Sequence, residues 1–472
     1  MTRLSTLGSC LSAILLMGAA AVDSPLINAA KNTDRPTIRR LVQERADVNA
    51  AEPDGTTALH WASYRDDGES ADLLIKAGAN VNAANDLGAT PLWNASLNGS
   101  AAMVRRLLQA GANPNALLLL GETPLMAAAR SGNADAVEQL LARGANVNAR
   151  AARGQTALMW AAAQKHPGVV KALLAHKADV HARSDNWKQM EAVSPHGVPE
   201  YNREIPYGKN TPLMFAARSG DLESATLLVA AGANVNDQDA WGISAVMLAA
   251  HSGFDDLVQF LLDKGADPNT SGAGFTALHA AIMRRDESLV RTLLAHGADP
   301  NARLQDWTPT RRQSSDLHFE PELVGATPYW LAARYVQPNV MRRLVELGAD
   351  PLFIHRSDRI VDGKEGRAYD HKQEATTALM AALGMGGGGN AWVLPERSQR
   401  EALALETVKL AVDLGVDVNA VNTDGRTALD AAKTLKFESV VTYLESKGAK
   451  PGKTEKKEPE TKQDPLAPPP RN

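Results

Sequence analysis

The sequence contains a single cysteine, Cys10, among its 472 residues. One cysteine excludes a disulfide framework within the chain and a zinc site built from several thiolates. Three histidines, His166, His176 and His181, are close in sequence but do not have the spacing of a zincin or a zinc finger. We therefore expect no bound metal.

Sequence motifs for catalysis or cofactor binding are missing as well. Gly384, Gly386 and Gly389 fit a loose G-x-G-x-x-G pattern, but a dinucleotide loop follows a strand, and here a helix is predicted instead. The chain has no Gly-x-Ser-x-Gly nucleophile motif. We expect a non-enzymatic protein without a cofactor, although the many carboxylates in its loops leave a hydrolytic pair open.

Aromatic residues make up only 5% of the chain, and its net charge is −4 at pH 7. A chain with this balance has no overall positive field that would attract nucleic acid, so we expect no nucleic-acid partner. Most of the apolar surface comes from alanine and leucine. This composition suits closely packed helices, because alanine favours the helix and lets neighbouring backbones approach.

The N-terminal residues have the order of a secretion signal. Arg3 supplies the charged start, residues 11–17 form the core of an apolar run, and three alanines at residues 19–21 provide a cleavage site. The run is too short to span a bilayer comfortably, so we expect no integral membrane segment after cleavage. The sequence thus predicts a signal peptide at residues 1–21 and a periplasmic or secreted protein.

Two alternatives at this end of the chain stay open. Residues 7–10 read Leu-Gly-Ser-Cys, which is superficially similar to a lipoprotein signal that would lipidate Cys10, but the main apolar run follows the cysteine. The same residues could instead begin a first buried helix, and the protein would then be a cytosolic adaptor. Cleavage after Ala21 would leave a protein without cysteine that is held together by packing alone.

A short signature of threonine, then alanine or proline, then leucine recurs along the chain. Its copies at residues 57, 90, 123 and 156 are each 33 residues apart, and the same step separates residues 211 and 244. Further copies begin at residues 276, 327, 377 and 427. Such regular self-similarity predicts a stack of similar units instead of one globular core.

Each part of the unit has a physical role, which the copy at residues 123–148 illustrates. Thr123 suits the N-cap of a first helix, and Pro124 suits the first turn, where no amide donor is needed. A second helix follows a polar turn and ends at Gly144, where a left-handed cap is expected. Ala-Asn-Val-Asn comes next, and an asparagine there can brace the connecting turn. One repeat has Lys177 in place of the glycine, at a cost of about 1 kcal/mol.

This unit resembles the ankyrin repeat, which has the same period and the signatures Thr-Pro-Leu-His and Gly-Ala-Asp-Val-Asn. The resemblance covers roughly residues 24–449, with ten full units after an N-terminal half-capped unit, and the histidine survives only at His60 and His279. It implies an all-α ankyrin-repeat solenoid of stacked helix-turn-helix units with β-hairpin finger loops. It also implies a scaffold that binds a partner protein, here of a secreted bacterial type with long finger-loop insertions.

Four insertions interrupt the repeats. Three of them fall where the ankyrin fold has a finger loop, and the fourth separates the two helices of its own repeat. Lysine, glutamate and proline dominate the C-terminal tail, which predicts disorder. The predicted organisation is a signal peptide (1–21), N-terminal repeats (22–183), an insertion (184–208), C-terminal repeats (209–449) with insertions at 303–325, 355–375 and 384–400, and the tail (450–472).

The insertions are richer in aromatic and charged residues than the repeats, and such side chains are the usual anchors of interfaces. Trp93 and Trp330 occupy the position that His60 and His279 hold in their own repeats, the histidine slot, and they are expected to touch the concave face. Trp61, Trp160 and Phe215, one place later, are expected in the core. The predicted partner-binding residues are Trp187, Tyr201, Tyr207, Trp307, His318, Phe319, Tyr369, Trp93 and Trp330.

Two other interpretations of the insertions remain. The loops could pack on the flank of the stack and bury their own aromatic rings. Alternatively, acids and aromatic rings from the three finger insertions could converge in one cleft and form a carbohydrate-binding site or a hydrolase. The sequence does not identify the partner or the organism.

Overall fold

A computed structural model of the chain describes residues 24–191, 203–308, 318–362, 369–387, 395–396 and 399–452. The predicted signal peptide, Cys10, most of the insertion at 384–400 and nearly all of the tail lie outside these residues. The chain divides into two compact units between Asp179 and Val180. Within the described ranges, no helix combines the length and the apolar character needed to cross a membrane.

Each repeat forms two short helices because its sequence starts and stops them. The signature threonine caps the first helix, as when Thr123 Oγ1 accepts a hydrogen bond from the Met126 amide at 3.2 Å. Asn133 caps the second helix of that repeat, and its Oδ1 accepts from the Ala136 amide at 3.0 Å. Helices this short are not stable alone in water, so they depend on packing against their neighbours.

In its described part the first unit contains five pairs of α-helices. The first helix of each pair packs on the first helix of the next pair, and the second helices pack in the same way. The bounds are α1 (Pro25–Lys31), α2 (Arg35–Gln43), α3 (Ala58–Tyr64), α4 (Gly68–Lys76), α5 (Pro91–Leu97), α6 (Ala101–Gln109), α7 (Pro124–Ser131), α8 (Ala134–Ala142), α9 (Ala157–Ala163) and α10 (Pro167–Ala175).

The second unit repeats this packing with six helix pairs in its described residues, and it adds two antiparallel hairpins in the finger positions. Its helices are α11 (Pro212–Ser219), α12 (Leu222–Ala230), α13 (Ala245–Ser252), α14 (Asp255–Asp263), α15 (Ala277–Met283), α16 (Glu287–Ala295), α17 (Pro328–Arg334), α18 (Pro338–Glu346), α19 (Ala378–Ala381), α20 (Arg400–Asp413), α21 (Ala428–Leu435) and α22 (Glu438–Ser446). Its strands are β1 (Trp187–Glu191), β2 (Arg203–Tyr207), β3 (His355–Asp362) and β4 (Tyr369–Thr376).

The core of each unit is a layer of small and aliphatic side chains between its two rows of helices. In the repeat of α7 and α8, Leu125, Ala128, Val137 and Leu140 are buried. Alanines keep the helix axes close, and the larger side chains fill the space between them. Each buried methylene contributes about 0.8 kcal/mol. The predicted all-α solenoid of stacked helix pairs with hairpin fingers is confirmed.

Asparagine side chains join neighbouring repeats at eight of the connecting turns in the described residues. Asn115 Nδ2 donates to the Gly144 carbonyl at 2.9 Å, and Asn115 Oδ1 accepts from the Asn146 amide at 2.8 Å. The asparagine therefore braces the following repeat and not only its own turn. Seven further asparagines make the same two bonds: Asn49, Asn82, Asn148, Asn236, Asn269, Asn301 and Asn419.

The turn after each second helix needs a left-handed residue. Gly144 supplies it with φ of 82°, whereas Lys177 is held at φ of 64° in the corresponding place. The left-handed conformation expected at Lys177 is thus confirmed. A Cβ built on Gly144 meets no atom within 4 Å, so glycine is favoured there by the backbone conformation and not by crowding.

The asparagine bridges can be tested at Asn115. Replacing Asn115 by alanine removes both bonds, and we expect a loss of about 1–3 kcal/mol in the free energy of unfolding. Asn115→Asp keeps the acceptor for the Asn146 amide but loses the donor to Gly144, so its loss is expected to be smaller. Urea unfolding followed by circular dichroism measures both variants. Midpoints equal to that of the wild type would show that the bridges do not stabilise the stack.

Candidate interaction surface

The first finger insertion is an antiparallel hairpin whose two faces differ. Trp187 pairs with Tyr207, and Glu191 pairs with Arg203, in the register of β1 and β2. Side chains alternate along a strand, so these four share one face with Ile205, which is buried. Lys188, Met190 and Glu204 lie on the other face and are exposed.

Two of the predicted binding residues stack on the inner face of this hairpin. The rings of Trp187 and Tyr207 are 5.8 Å apart between centroids and inclined by 15°. The Tyr207 hydroxyl donates to Glu191 Oε1 at 2.8 Å, so the ring is fixed at both ends. Both aromatic side chains are half-buried, which leaves part of each ring open to a partner.

Arg203 joins this hairpin to the start of the second finger insertion. Its Nη1 donates to Asp306 Oδ2 at 2.6 Å, and its Nη2 donates to the Trp307 carbonyl at 2.8 Å. The guanidinium carbon lies 4.0 Å from the centroid of the Trp307 ring, a cation–π contact. Arg203 therefore links the hairpin that carries Trp187 and Tyr207 to Trp307, more than a hundred positions later in the chain.

Two of the predicted binding residues belong to the core, and this corrects the sequence analysis. Phe319 is buried, and its ring lies 4.9 Å from that of Phe275. Trp330 is fully buried beneath His355, with 4.2 Å between the ring centroids. Neither side chain is accessible to a partner. The histidine slot points toward the following finger, and there the β3–β4 hairpin covers Trp330.

The four remaining predicted binding residues are described one by one. His318 is half-buried, with Nε2 at 3.9 Å from Glu320 Oε1. Trp93 is half-buried on α5, and its indole Nε1 finds no acceptor among the residues that the structure describes. Tyr369 begins β4 opposite Asp362, and its side chain lies outside the described part. Tyr201 lies outside the described residues altogether.

Three aromatic residues expected in the core are only half-buried, so that prediction was wrong. Trp61 donates from Nε1 to Glu52 Oε2 at 2.8 Å, with Lys31 Nζ at 5.1 Å from its ring. Trp160 has Arg130 at 5.3 Å from its ring centroid, and Phe215 is also half-buried. On α3 the Trp61 side chain therefore lies against Glu52 and Lys31, which precede it in the chain.

A fingertip surface in the first unit was missed in the sequence analysis. Leu87, Leu117, Leu119 and Leu120 are 64%, 58%, 73% and 70% exposed. The signal was present in the sequence as four consecutive leucines at residues 117–120, where the neighbouring fingers carry mostly polar or small residues. Contiguous exposed apolar side chains mark interaction sites more often than isolated ones do.

The buried histidines of the signature have a structural role. The Thr276 amide donates to His279 Nδ1 at 3.1 Å, and His279 Nε2 lies 3.1 Å from the Ala302 carbonyl of the next finger. Burial lowers the pKa of His279 to about 4, and burial also lowers the pKa of His60, which makes the same contacts. A neutral ring satisfies both neighbours, whereas protonation at Nδ1 would displace the Thr276 amide.

The carboxyl pair that most resembles a catalytic dyad lies away from the insertions. Burial, together with the neighbouring Asp286, raises the pKa of Asp255. Both residues stand at helix N-termini: Asp255 opens α14, and Asp286 caps α16 through the Leu289 amide at 3.1 Å. Across the described ranges, no group of three or more histidine, cysteine, aspartate or glutamate side chains could hold a metal ion.

Helix pairs with a 33-residue signature, capped turns and projecting fingers define a helical-repeat protein. The family described as "Ankyrin repeats (3 copies)" matches residues 26–118, 92–184 and 201–303. The chain belongs to the ankyrin-repeat family, and its repeats make it a protein–protein interaction scaffold.

Known relatives share the repeats over part of their length. A putative ankyrin repeat-containing protein of Treponema pallidum is 43% identical over 89 residues, which is 18% of this chain and 30% of that protein. An ankyrin repeat and KH domain-containing protein of Caenorhabditis briggsae is 30% identical over 257 residues, which is 53% of this chain and 9% of that protein. The chain therefore spans less than a third of either relative.

Among solved structures, the human ASB11 ankyrin repeat domain is similar, with 30% identity and a TM-score of 0.43. That similarity covers 52% of this chain and 99% of the ASB11 chain.

The pKa of His279 predicts an acid sensitivity. The ring is neutral in the folded protein down to about pH 4, whereas in the unfolded chain it takes up a proton below about pH 6.5. Stability is therefore lost as the pH falls between these values, by up to about 3 kcal/mol from this residue. His279→Met, which uses the residue of the equivalent slot in α7, should flatten this loss in urea unfolding at several pH values. Equal pH slopes in the two proteins would contradict the assignment.

Proposed function

We propose that this chain is an exported, non-enzymatic scaffold that holds a partner protein on its finger loops and on the open face of its first helices. The observation that carries the proposal is the hairpin on which Trp187 stacks with Tyr207, together with Arg203, which links that hairpin to Trp307 of the next insertion. Tryptophan, tyrosine and arginine supply most of the binding energy at protein interfaces.

This surface is preorganised, which favours binding. The Tyr207 hydroxyl is bonded to Glu191, and Arg203 is bonded to Asp306 and to the Trp307 carbonyl, so each ring already has a fixed orientation. Ordering a long side chain on binding costs about 0.5–1.5 kcal/mol, and here that cost is already met within the folded chain. A partner would gain contacts with these rings without having to order them.

The proposal also includes the first helix of several repeats in the first unit, because these helices carry partly exposed tryptophans. Trp61, Trp93 and Trp160 lie on α3, α5 and α9 and are partly exposed. Trp61 and Trp160 each have a cation against the ring, and that cation is paired with a glutamate of the chain, so each ring is held in place before a partner binds.

The carbohydrate alternative is less favoured by the arrangement of the rings. A sugar stacks on an open ring face, and Tyr207 against Trp187 and the Arg203 guanidinium against Trp307 leave at most one face of each ring for it. The raised pKa of Asp255 does not support a hydrolytic pair in the insertions, because Asp255 lies at the start of α14 and not in an insertion.

Export is supported by the sequence at the N-terminus. Cleavage after Ala21 would remove no residue of the first repeat, since Ser24 caps α1 and Pro25 begins it. The protein would then contain no cysteine, as suits an oxidising compartment. The proposed setting is the periplasm or the medium of a bacterium.

The binding proposal is tested by affinity capture from the cells that make the protein. We expect Trp187→Ala/Trp307→Ala to reduce the captured partner at least tenfold, because both ring anchors are lost. Met190→Ala, on the opposite face of the same hairpin, is the matched control and should capture normally. If the double variant retained the partner as well as the control does, the aromatic surface would have no role in binding.

Export is tested by cell fractionation and by sequencing the N-terminus of the purified protein. The expected result is a chain that begins at Val22 in the periplasmic or secreted fraction. Uncleaved protein in the cytosol would support the adaptor alternative instead, and lipid attached to Cys10 would support the lipoprotein alternative.

A further inference from the structure

The fingertips of the first unit form a row that is apolar in its middle. Leu87 lies on the second finger, and Leu117, Leu119 and Leu120 lie on the third, all of them mostly exposed. They are named here the leucine row. Leucines at these positions contribute nothing to the core, and exposure of so many adjacent apolar groups disfavours the free protein in water.

The leucine row is held in place by main-chain hydrogen bonds from fingertip to fingertip. The Leu119 amide donates to the Leu87 carbonyl at 3.0 Å, and the Ala152 amide donates to the Leu120 carbonyl at 2.7 Å. The Asp86 amide likewise donates to the Asp54 carbonyl at 2.8 Å. Four consecutive fingers are therefore tied together, and the row is a fixed surface.

Side chains of opposite charge lie on either side of the leucine row. Asp54 and Asp86 are exposed on the first and second fingers, and the Thr56 amide, bonded to Asp54 at 2.9 Å, holds the pKa of that carboxyl below its usual value. Arg150 and Arg153 are exposed on the fourth finger. Along the fingertips the order is thus acidic, apolar, basic.

We propose that the leucine row binds a peptide segment of a partner protein that has apolar side chains in its middle, an acidic residue at one end and a basic residue at the other. The segment lies along the fingertips with its acidic end at Arg150 and Arg153. This proposal rests on the scaffold function and adds a second surface, with a stated partner chemistry, in the first unit.

The distance across the four fingertips, from Asp54 to Arg153, sets the length of the bound peptide segment. Neighbouring helices pack about 8–10 Å apart, so three steps between four fingers cover about 30 Å. An extended segment rises about 3.3 Å per residue, so about nine residues reach from one end of the row to the other. Charge complementarity then fixes the direction in which the segment lies.

A membrane surface fits this row less well than a peptide does. Anionic lipid would attract the two arginines but repel Asp54 and Asp86 on the same row. A peptide of mixed charge satisfies both ends at once.

The test uses the purified full-length protein and a library of random peptides about 12 residues long, slightly longer than the row. Peptides are selected on the wild type while Leu119→Ser/Leu120→Ser is present in excess as a competitor. We expect the enriched peptides to combine apolar residues with an acidic end. A synthetic peptide from this set should bind at least tenfold more weakly to the leucine variant and to Arg150→Glu/Arg153→Glu.

Control variants separate binding from folding. The leucines are exposed, so their replacement should leave thermal unfolding unchanged. Val421→Ser, at an exposed apolar position on a finger of the second unit, should bind the peptide as the wild type does. A peptide with its charged ends exchanged should bind more weakly than the original.

Several results would overturn the proposal. They are a failure to enrich any peptide, enriched peptides without an acidic residue, and equal binding by the leucine variant. Leucine-dependent sedimentation with vesicles of phosphatidylcholine and phosphatidylglycerol would assign the row to a membrane, and leucine-dependent dimers in ultracentrifugation would assign it to a second copy.

If the leucine variant captures the cellular partner but Trp187→Ala/Trp307→Ala does not, this proposal fails alone. If neither change affects capture, the surface assigned to the scaffold function fails too.

Discussion

Two hydrogen bonds from one asparagine side chain connect neighbouring repeats at eight of the connecting turns in the described residues. Asn115 accepts from the Asn146 amide and donates to the Gly144 carbonyl, and this pattern recurs in both units. The bridge fixes where the following second helix ends, and thereby where the next finger begins. The same bridge forms at Asn301, whose Nδ2 donates to the Gly348 carbonyl at 2.8 Å, although the second finger insertion lies between these two residues. The second finger insertion therefore leaves the bridge between its two neighbouring repeats intact.

A constant step has a functional consequence, because it puts every finger on the same edge of its unit. In the first unit the fingertips then bond to one another, as Leu119 does to Leu87. In the second unit a hairpin reaches past two intervening fingers, and Arg203 contacts Asp306 and Trp307. Both surfaces are rigid before any partner arrives, which is the property that a scaffold needs.

The fold could be predicted from the sequence because its determinants are local. Thr123 caps a helix three residues away, and Gly144 permits the turn beside it, so the signature alone specifies the unit. The burial of Trp330 and the exposure of Trp61 could not be predicted in this way. They occupy adjacent slots, and their burial depends on the neighbouring finger, which in one case carries His355 over the ring. The contact of Arg203 with Trp307 has no local signal at all, since more than a hundred residues separate them.

Hydrogen–deuterium exchange of the protein, alone and with its captured partner, tests most directly whether the fingers are the binding surface. Amides at the fingertips, such as those of Leu119 and Ala152, should exchange slowly in the free protein because they are already bonded. The partner should slow exchange further in the fingers and in the β1–β2 hairpin, and leave the second helices, such as α6 and α8, unchanged. Protection of the second helices with unaltered fingers would contradict the account.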